Sequence, residues 1–466
     1  MSGIFGVIGK GSITEPLYYG TDYHTHLGTQ YGGVAVWGVE LIRKIHSIRA
    51  SQFKSKFADE LQALSGNKGI GALSASQEQP ICLNSRFGRF AIVMNGWIDN
   101  ADQLAKGLLE RGHSFSEVRR GRINQIELVA KIINTGKDMV DGIETVFKHI
   151  EGSCSMLILT EKGIYAARDR FGYSPLILGQ SAESWAVTTE TGALTNQGYE
   201  IKKYMGPGEV VFIDENGPRP VRPAGDKCQI CAFLWIYTGF PTSNYEGINA
   251  EVVRERCGRC LAKRDTVKPD IVAGVPESGV AHAIGYAMES RIPYRRPLVK
   301  YTPGYGRSYT PPTQEERDRI AKMKLIPIRE LIDGNRVLIC EDSIVRGTQL
   351  KNFTVQKLWN SGAKEVHVRP ACPPLMFPCK FNISTRSVDE LIARRAVHAL
   401  EGKATENVSA YLDPDGEKYK KMVDWIAKDI GVTTLQYQRI DDMVEAIGLP
   451  RERLCLYCWT GETGTD

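Results

Sequence analysis

Two rhythms of apolar and polar positions divide this chain. From residue 1 to about 225, short apolar runs of strand length are separated by turn residues. Gly32-Gly-Val-Ala-Val-Trp37, Phe90-Ala-Ile-Val-Met94, and the pair Cys154 to Thr160 and Gly163 to Ala167 predict strands. Between them, Ala101 to Arg111 and Gln125 to Thr135 carry helical spacing. That mix suits an αββα sandwich. The stretch Gly217 to Asp226 is rich in Pro and Gly and predicts a linker.

From about residue 228 the rhythm changes to βα alternation. Asp270 to Val275 predicts a strand, with a helix from Val280. Arg336 to Cys340 predicts another, with a helix from Gln349, and Lys364 to Arg369 a third. Alternation of this kind implies a parallel sheet with ligands at its carboxyl edge. Residues 394 to 430 are charged and partly helical.

Composition narrows the class. A chain of 466 residues suggests two or three domains, and 42% apolar residues suffice for sizeable cores. The net charge of +5 is small for this length and makes no case for nucleic acid. The basic stretch Arg291 to Arg307 suits a polyanionic small ligand. No run reaches the length of a membrane span and the N-terminus lacks an apolar signal core, so a cytoplasmic protein is expected. Eleven cysteines then point to metal or redox chemistry before disulfides.

The run Arg336-Val-Leu-Ile-Cys-Glu-Asp-Ser-Ile-Val-Arg-Gly-Thr348 carries the most chemistry. An apolar strand ends in two carboxylates, and a turn of small residues leads into a helix. Backbone N–H groups of such a turn form a nest for a phosphate. Glu341 and Asp342 are placed for sugar hydroxyls and for Mg2+, directly or through water. The combination fits a ribose phosphate carrying pyrophosphate, that is, phosphoribosyl pyrophosphate (PRPP).

This run resembles the PRPP loop of type I phosphoribosyltransferases, and of the glutamine PRPP amidotransferase family above all. That family reads Asp-Asp-Ser-Ile-Val-Arg-Gly-Thr, with Glu341 here for the first Asp. The resemblance covers nearly the whole chain, through Pro276-Glu-Ser-Gly279, Arg307-Ser-Tyr, Gln314 and Cys455-Leu-Tyr-Cys-Trp-Thr-Gly461. It is weakest over residues 394 to 430. At the front, Gly3-Ile-Phe-Gly6, Asn95-Gly96 and Pro207-Gly-Glu209 resemble the family's class II glutaminase domain. The implied fold is an N-terminal Ntn-hydrolase sandwich over 1–227 and a type I phosphoribosyltransferase α/β domain with a central parallel sheet over 228–466.

The resemblance also implies site roles. Ser343, Ile344, Val345, Arg346, Gly347 and Thr348 would hold the 5-phosphate of PRPP. Glu341 and Asp342 would face the ribose hydroxyls and Mg2+, while Glu277, Ser278 and Gly279 would touch pyrophosphate. Lys300 to Lys324 resembles the family's flexible loop, with Arg307 as its matching catalytic arginine and Gln314 and Arg317 also in place. Here the family's Lys-Asn-Arg-Tyr-Val-Gly reads Tyr301-Thr-Pro-Gly-Tyr-Gly306, which loses a basic group and an amide. The implied reaction displaces pyrophosphate from C1 of PRPP by ammonia or another amine. Nucleotide effectors and a homodimer or homotetramer are the further partners it implies.

The glutaminase half departs further from the family. Its N-terminal Cys nucleophile is Ser2, and its His-Arg-Gly is His26-Leu-Gly28. The Arg that clamps the glutamine carboxylate becomes Ser74, and the acid that pairs its amine becomes Gln125. A buried carboxylate and ammonium need opposite charges close by. Asn95 and Gly96, the oxyanion pair, remain, though an Asn-Gly turn after a strand needs no catalytic reason. An inactive glutaminase is the expectation.

Three Cys-x-x-Cys pairs occur, at Cys228/Cys231, Cys257/Cys260 and Cys455/Cys458. Spacing alone would join the first two into a zinc site, although Arg254 to Arg264 reads as helix. The resemblance instead implies a [4Fe–4S] cluster on Cys231, Cys379, Cys455 and Cys458, which would staple the C-terminal tail to the sheet domain and the domain junction. Three functions compete at this point. One is an amidophosphoribosyltransferase-like enzyme without its own glutaminase activity. The second is a non-catalytic PRPP or nucleotide-binding homologue that partners another enzyme. The third is an N-terminal-Ser amide hydrolase with a vestigial phosphoribosyl domain.

Overall fold

The computed structural model describes residues 1–466 apart from 61–62, 120, 302–324, 382–384, 386, 403–404 and 465–466. Two antiparallel sheets face each other in the first half. One runs, in spatial order, Glu200–Tyr204, Ile177–Gln180, Ser184–Thr188, Ser2–Gly9, Lys68–Ser74, Tyr31–Trp37 and Leu41–Ser47. The other runs Gly217–Arg222, Val210–Asp214, Gly163–Ala167, Gly152–Thr160, Gly88–Ile98 and Ile81–Ser85. Ile4, Ile70, Val93, Leu157 and Ile164 fill the space between them.

Helices cover both outer faces. Thr14–Asp22 and Phe53–Phe57 pack on the first sheet through Leu17, Tyr18, Phe53 and Phe57. Ala101–Glu110, Gln125–Ile133 and Met139–His149 pack on the second through Leu108, Val129, Ile133 and Val146. The predicted αββα layering is therefore present. Strands buried on both faces read as continuous apolar runs, and that is the pattern of residues 90–94 and 154–160.

Two local expectations are corrected. Gly217–Arg222 is not linker but a strand paired antiparallel with Val210–Asp214. It lies at the sheet edge, the one place in a sheet where the missing N–H groups of Pro218 and Pro220 are tolerated. Asn95-Gly96 is not a turn either. Both residues lie inside Gly88–Ile98, where Asn95 pairs with Ser155 and Gly96 with Cys154.

The second half holds a parallel sheet in the order Ile271–Gly274, Arg336–Glu341, Glu365–Pro370, Thr434–Leu435. Helices Ala250–Arg264 and Val280–Ser290 pack on one face through Val253, Cys257, Ala283 and Tyr286. Ile392–Glu401 and Glu417–Ile430 cover the other through Ile392, Val397, Met422 and Ile426. Among the described residues no helix is long and apolar enough to cross a membrane.

The halves are joined by buried polar contacts. Glu190 accepts hydrogen bonds from Ser243 Oγ (2.5 Å), Tyr245 Oη (2.9 Å) and the Phe240 amide (3.2 Å), and pairs with His26 Nε2 (3.2 Å). Arg168, buried in the first half, pairs with Glu246 at 2.8 Å.

Candidate functional site

Two turns meet at the carboxyl edge of the parallel sheet. Residues 276–279 follow the strand Ile271–Gly274, and 342–348 follow its neighbour Arg336–Glu341. Ser278 Oγ donates to Glu341 Oε1 at 2.8 Å and ties the turns together. The same oxygen accepts the Asp342 amide at 3.1 Å, while Ser343 Oγ donates to Asp342 Oδ1 at 2.5 Å. Gly279 is required by proximity, because a Cβ there would meet the Cys340 carbonyl oxygen at 2.1 Å.

The second turn has the geometry of an anion nest. Among the described residues, the backbone N–H groups of Ser343, Ile344, Val345, Arg346 and Gly347 donate to no protein acceptor. A ligand or solvent must supply one. Gly347 holds a φ of +75°, and a Cβ there would meet Ile392 Cδ1 at 2.4 Å. The helix Ile392–Glu401 backs the turn: Ile392 N–H donates to Val345 O at 2.7 Å, Arg395 to Arg346 O at 2.8 Å, and Glu390 pairs with Arg346. Sequence reasoning missed this support, which comes from a segment with no motif of its own.

Electrostatics at the strand end are strained in one direction. Burial, and then the adjacent Asp342 carboxylate, push the Glu341 carboxyl well above the ordinary Glu value. Glu341 therefore keeps its proton above the ordinary carboxylate range, and a bound cation would displace it. The expected loop residues Arg307, Gln314 and Arg317 lie outside the described residues, as does the departure at 302–306.

Of the expected glutaminase residues, Ser74 and Asn95 contact Ser2. Ser74 stands opposite Ser2 in the strand register, with the two hydroxyls 3.3 Å apart. The Ser2 amide donates to Asn95 Oδ1 at 3.1 Å. Gln79 Nε2 donates to Ser2 Oγ at 3.0 Å, a contact the sequence reading did not foresee. The carboxamide of Gln125 is bonded instead to both the N–H (3.1 Å) and the C=O (2.9 Å) of Ile98. Ser74 Oγ also accepts the amides of Ser76 and Gln77. None of these side chains carries a charge. Gly96 has its own structural reason, since at φ +146° a Cβ would meet Ser153 O at 2.0 Å.

The four cysteines singled out by resemblance also converge. Cys231 and Cys455 are partners in a parallel ladder between Ile230–Cys231 and Leu454–Cys455. Cys379 forms a hydrogen bond with Cys458. Burial, then the Cys379 thiol, push Cys231 up to about 12, and Cys455 is raised well above a free thiol by burial and by Cys231. The group borders the first half, where Cys231 N–H donates to Tyr173 O at 3.2 Å. Cys257, on the helix Ala250–Arg264, has Cys260 and Cys372 as thiol neighbours, while Cys231 faces Cys379 and Cys455. Among the described residues no three His, Cys, Asp or Glu side chains are placed to hold a metal ion.

Comparison with known proteins bears on the whole chain. Residues 68–196 match the family model of a glutamine amidotransferase domain. An amidophosphoribosyltransferase of Methanocaldococcus jannaschii is 31% identical over 494 residues, covering 100% of this chain and 98% of that one. One of Bacillus subtilis is 30% identical, covering 100% and 94%. A solved structure of the B. subtilis glutamine PRPP amidotransferase complexed with ADP and GMP superposes with a TM-score of 0.85 at 29% identity, covering 100% of this chain and 97% of that one. Its two parts, a glutaminase sandwich followed by a phosphoribosyltransferase sheet, are those described above. With full-length coverage and identity above 30%, the chain belongs to the amidophosphoribosyltransferase family.

Proposed function

We propose that this protein transfers the phosphoribosyl group of PRPP to ammonia or another amine, with release of pyrophosphate, and that it does not hydrolyse glutamine. One observation carries the first part. The turns 276–279 and 342–348 are bonded together through Ser278 and Glu341, and the second presents five N–H groups that have no acceptor among the described residues. Ser343 to Thr348 hold the 5-phosphate, Glu341 and Asp342 face the ribose hydroxyls, and the turn at Glu277, Ser278 and Gly279 meets pyrophosphate. Arg307 is assigned as the catalytic arginine of the loop by family likeness. Mg2+, when bound, neutralises pyrophosphate; the adjacent carboxyls of Glu341 and Asp342 fit a divalent cation and would hold it. The boundary between the two parts is placed at 227/228.

The neutral surroundings of Ser2 support the second part. Glutamine brings an α-carboxylate and an α-ammonium, and Ser2, Ser74, Gln79, Asn95 and Gln125 offer neither an opposite charge. The convergence of Cys231, Cys379, Cys455 and Cys458 supplies an all-thiol donor set, the ligand chemistry of a [4Fe–4S] cluster. Anaerobically purified protein is expected to show thiolate-to-iron absorption in the visible; zinc at about one per chain would replace the cluster with a zinc site.

The test is incubation of the purified protein with PRPP, Mg2+ and either ammonia or glutamine, following pyrophosphate. Release with ammonia and not with glutamine is expected. Tight PRPP binding without turnover on any amine would make the protein a non-catalytic binding partner instead.

A further inference from the structure

The stretch Glu390 to Arg395 holds the turn 342–348 from behind, and two of its bonds fall on carbonyl groups of the turn. Ile392 N–H donates to Val345 O at 2.7 Å, and Arg395 Nη2 donates to Arg346 O at 2.8 Å. The peptide bonds that follow these two carbonyls are trans. In a trans peptide the C=O of one residue and the N–H of the next point in opposite directions. Tying Val345 O to the helix Ile392–Glu401 therefore turns the Arg346 N–H away from that helix. Tying Arg346 O does the same for the Gly347 N–H. These are two of the five N–H groups that have no acceptor among the described residues.

The two ties differ in kind. Ile392 donates through its backbone, at the first position of a helix, where an N–H has no partner within the helix. Arg395 donates through its side chain, to the peptide that precedes Gly347. That peptide is the one most able to flip. The rotation is taken up by ψ of Arg346 and φ of Gly347, and glycine accepts either sign of φ. Residue 346 is tied a second time, through its guanidinium to Glu390 Oε1 at 2.5 Å. Local helix energetics do not explain Arg395. A cation in the first turn opposes the helix dipole, and the exposed side chain adds nothing to the core.

We infer that Arg395 is a positioning residue for phosphoribosyl transfer: it holds the 346–347 peptide with the Gly347 N–H toward the 5-phosphate. It acts through that peptide, from the side of the turn opposite the nest. The bond exists before any ligand arrives, so the donor is preorganised and no peptide has to be turned on binding. Arg395 lies in the stretch where the resemblance to the family is weakest, so this role does not come from the likeness. The inference rests on the proposed reading of 342–348 as the site of the 5-phosphate.

Calorimetric titration of the full-length protein with ribose 5-phosphate, which carries the 5-phosphate and no pyrophosphate, tests it. Arg395→Ala weakens that binding by about tenfold, the loss of one hydrogen bond from a charged donor. The ratio of wild-type to variant affinity is the same at low and at high salt, and the ligand-free variant melts where wild type does. Arg395→Lys, which keeps a charged donor, regains affinity over Arg395→Ala. In the assay with PRPP, Mg2+ and ammonia, Arg395→Ala raises KM for PRPP by more than it lowers kcat, because the freed peptide lies at the 5-phosphate and not at C1. A ratio that vanishes at high salt would mark the guanidinium as a distant charge and overturn the inference. So would a fall in kcat with KM unchanged, or Arg395→Lys no better than Arg395→Ala. Wild type that binds ribose 5-phosphate no better than Arg395→Ala overturns the inference alone. Wild type that binds neither ribose 5-phosphate nor PRPP overturns the reading of the turn as a phosphate site, and the inference with it.

Discussion

Ser74 lies directly across the strand ladder from Ser2, hydroxyl to hydroxyl at 3.3 Å. Ser74, at the position proposed to clamp a glutamine carboxylate, is a short neutral side chain, itself occupied in capping the turn at 76–77.

On the proposed reading of this site, gaining glutaminase activity takes several changes at once. Ser2→Cys alone recovers no glutamate release, and neither does Ser2→Cys with Ser74→Arg. Gln125→Asp and Leu27→Arg are needed as well, and mutually dependent charges make the gain strongly non-additive. Gln125→Asp carries its own penalty. It removes the donor to the Ile98 carbonyl, at about 1–3 kcal/mol for a buried group left unpaired. Thermal unfolding of each variant, beside a glutamate assay with saturating PRPP, separates the two effects. Wild-type turnover on glutamine above about 1 per second would show a working amidase.

Asp342→Asn is expected to weaken PRPP binding by roughly 1–3 kcal/mol, as loss of a charged partner does. Gly347→Ala acts differently. It places a Cβ against Ile392 at a positive φ, so it distorts the nest and lowers the melting temperature together with PRPP affinity. Calorimetry on both variants, with melting curves, distinguishes a lost ligand contact from a displaced turn. Unaltered PRPP affinity in both would remove the turn from the binding site.

Glu341 predicts a pH dependence of the ligand-free protein. Its carboxyl is raised in the folded chain, first by burial and then by Asp342, from an ordinary value of 4.5. The folded state then holds the proton over a range in which the unfolded state has lost it. Its contribution to stability is full below pH 4.5 and falls as the pH rises toward the folded value. Glu341→Gln should flatten that decline. Binding of PRPP with Mg2+ should release protons in this range, which titrations in buffers of different ionisation enthalpy detect. Identical pH profiles for wild type and Glu341→Gln would contradict a shared proton.

Glu190 works with the opposite sign. Burial raises its carboxyl, but His26 and the bond from Ser243 outweigh burial and leave it below 4.5. The stability it contributes is present above pH 4.5 and is lost as the pH falls through the folded value. Glu190→Ala should cost about 3 kcal/mol or more, because the Ser243, Tyr245 and Phe240 donors lose their acceptor. Denaturant melts at pH 7 and pH 4 check both points: the variant should lose less than wild type on acidification.

The sequence made some of this legible and hid the rest for physical reasons. The sheets announced themselves because strands such as 90–94 and 154–160 are buried on both faces and must be continuously apolar. The nest was visible because its carboxylates, small residues and helix start are contiguous. Gly217–Arg222 was hidden because prolines signal a break everywhere except at a sheet edge. Gln79 and Glu190 were hidden because their partners lie 77 and 53 residues away, at Ser2 and Ser243, with no local pattern linking them.

The ladder between Cys231 and Cys455 has a consequence for the order in which this region folds. It joins the strand Ile230–Cys231 to the strand Leu454–Cys455, more than 200 residues further along the chain, in parallel and in register. So distant a pairing pays its loop-closure entropy before any contact rewards it, and it forms late. Until residues 454–460 dock, Ile230, Trp235 and the thiol of Cys231 lack their cover, and that interval is when the folding chain is most exposed to oxidation and to aggregation.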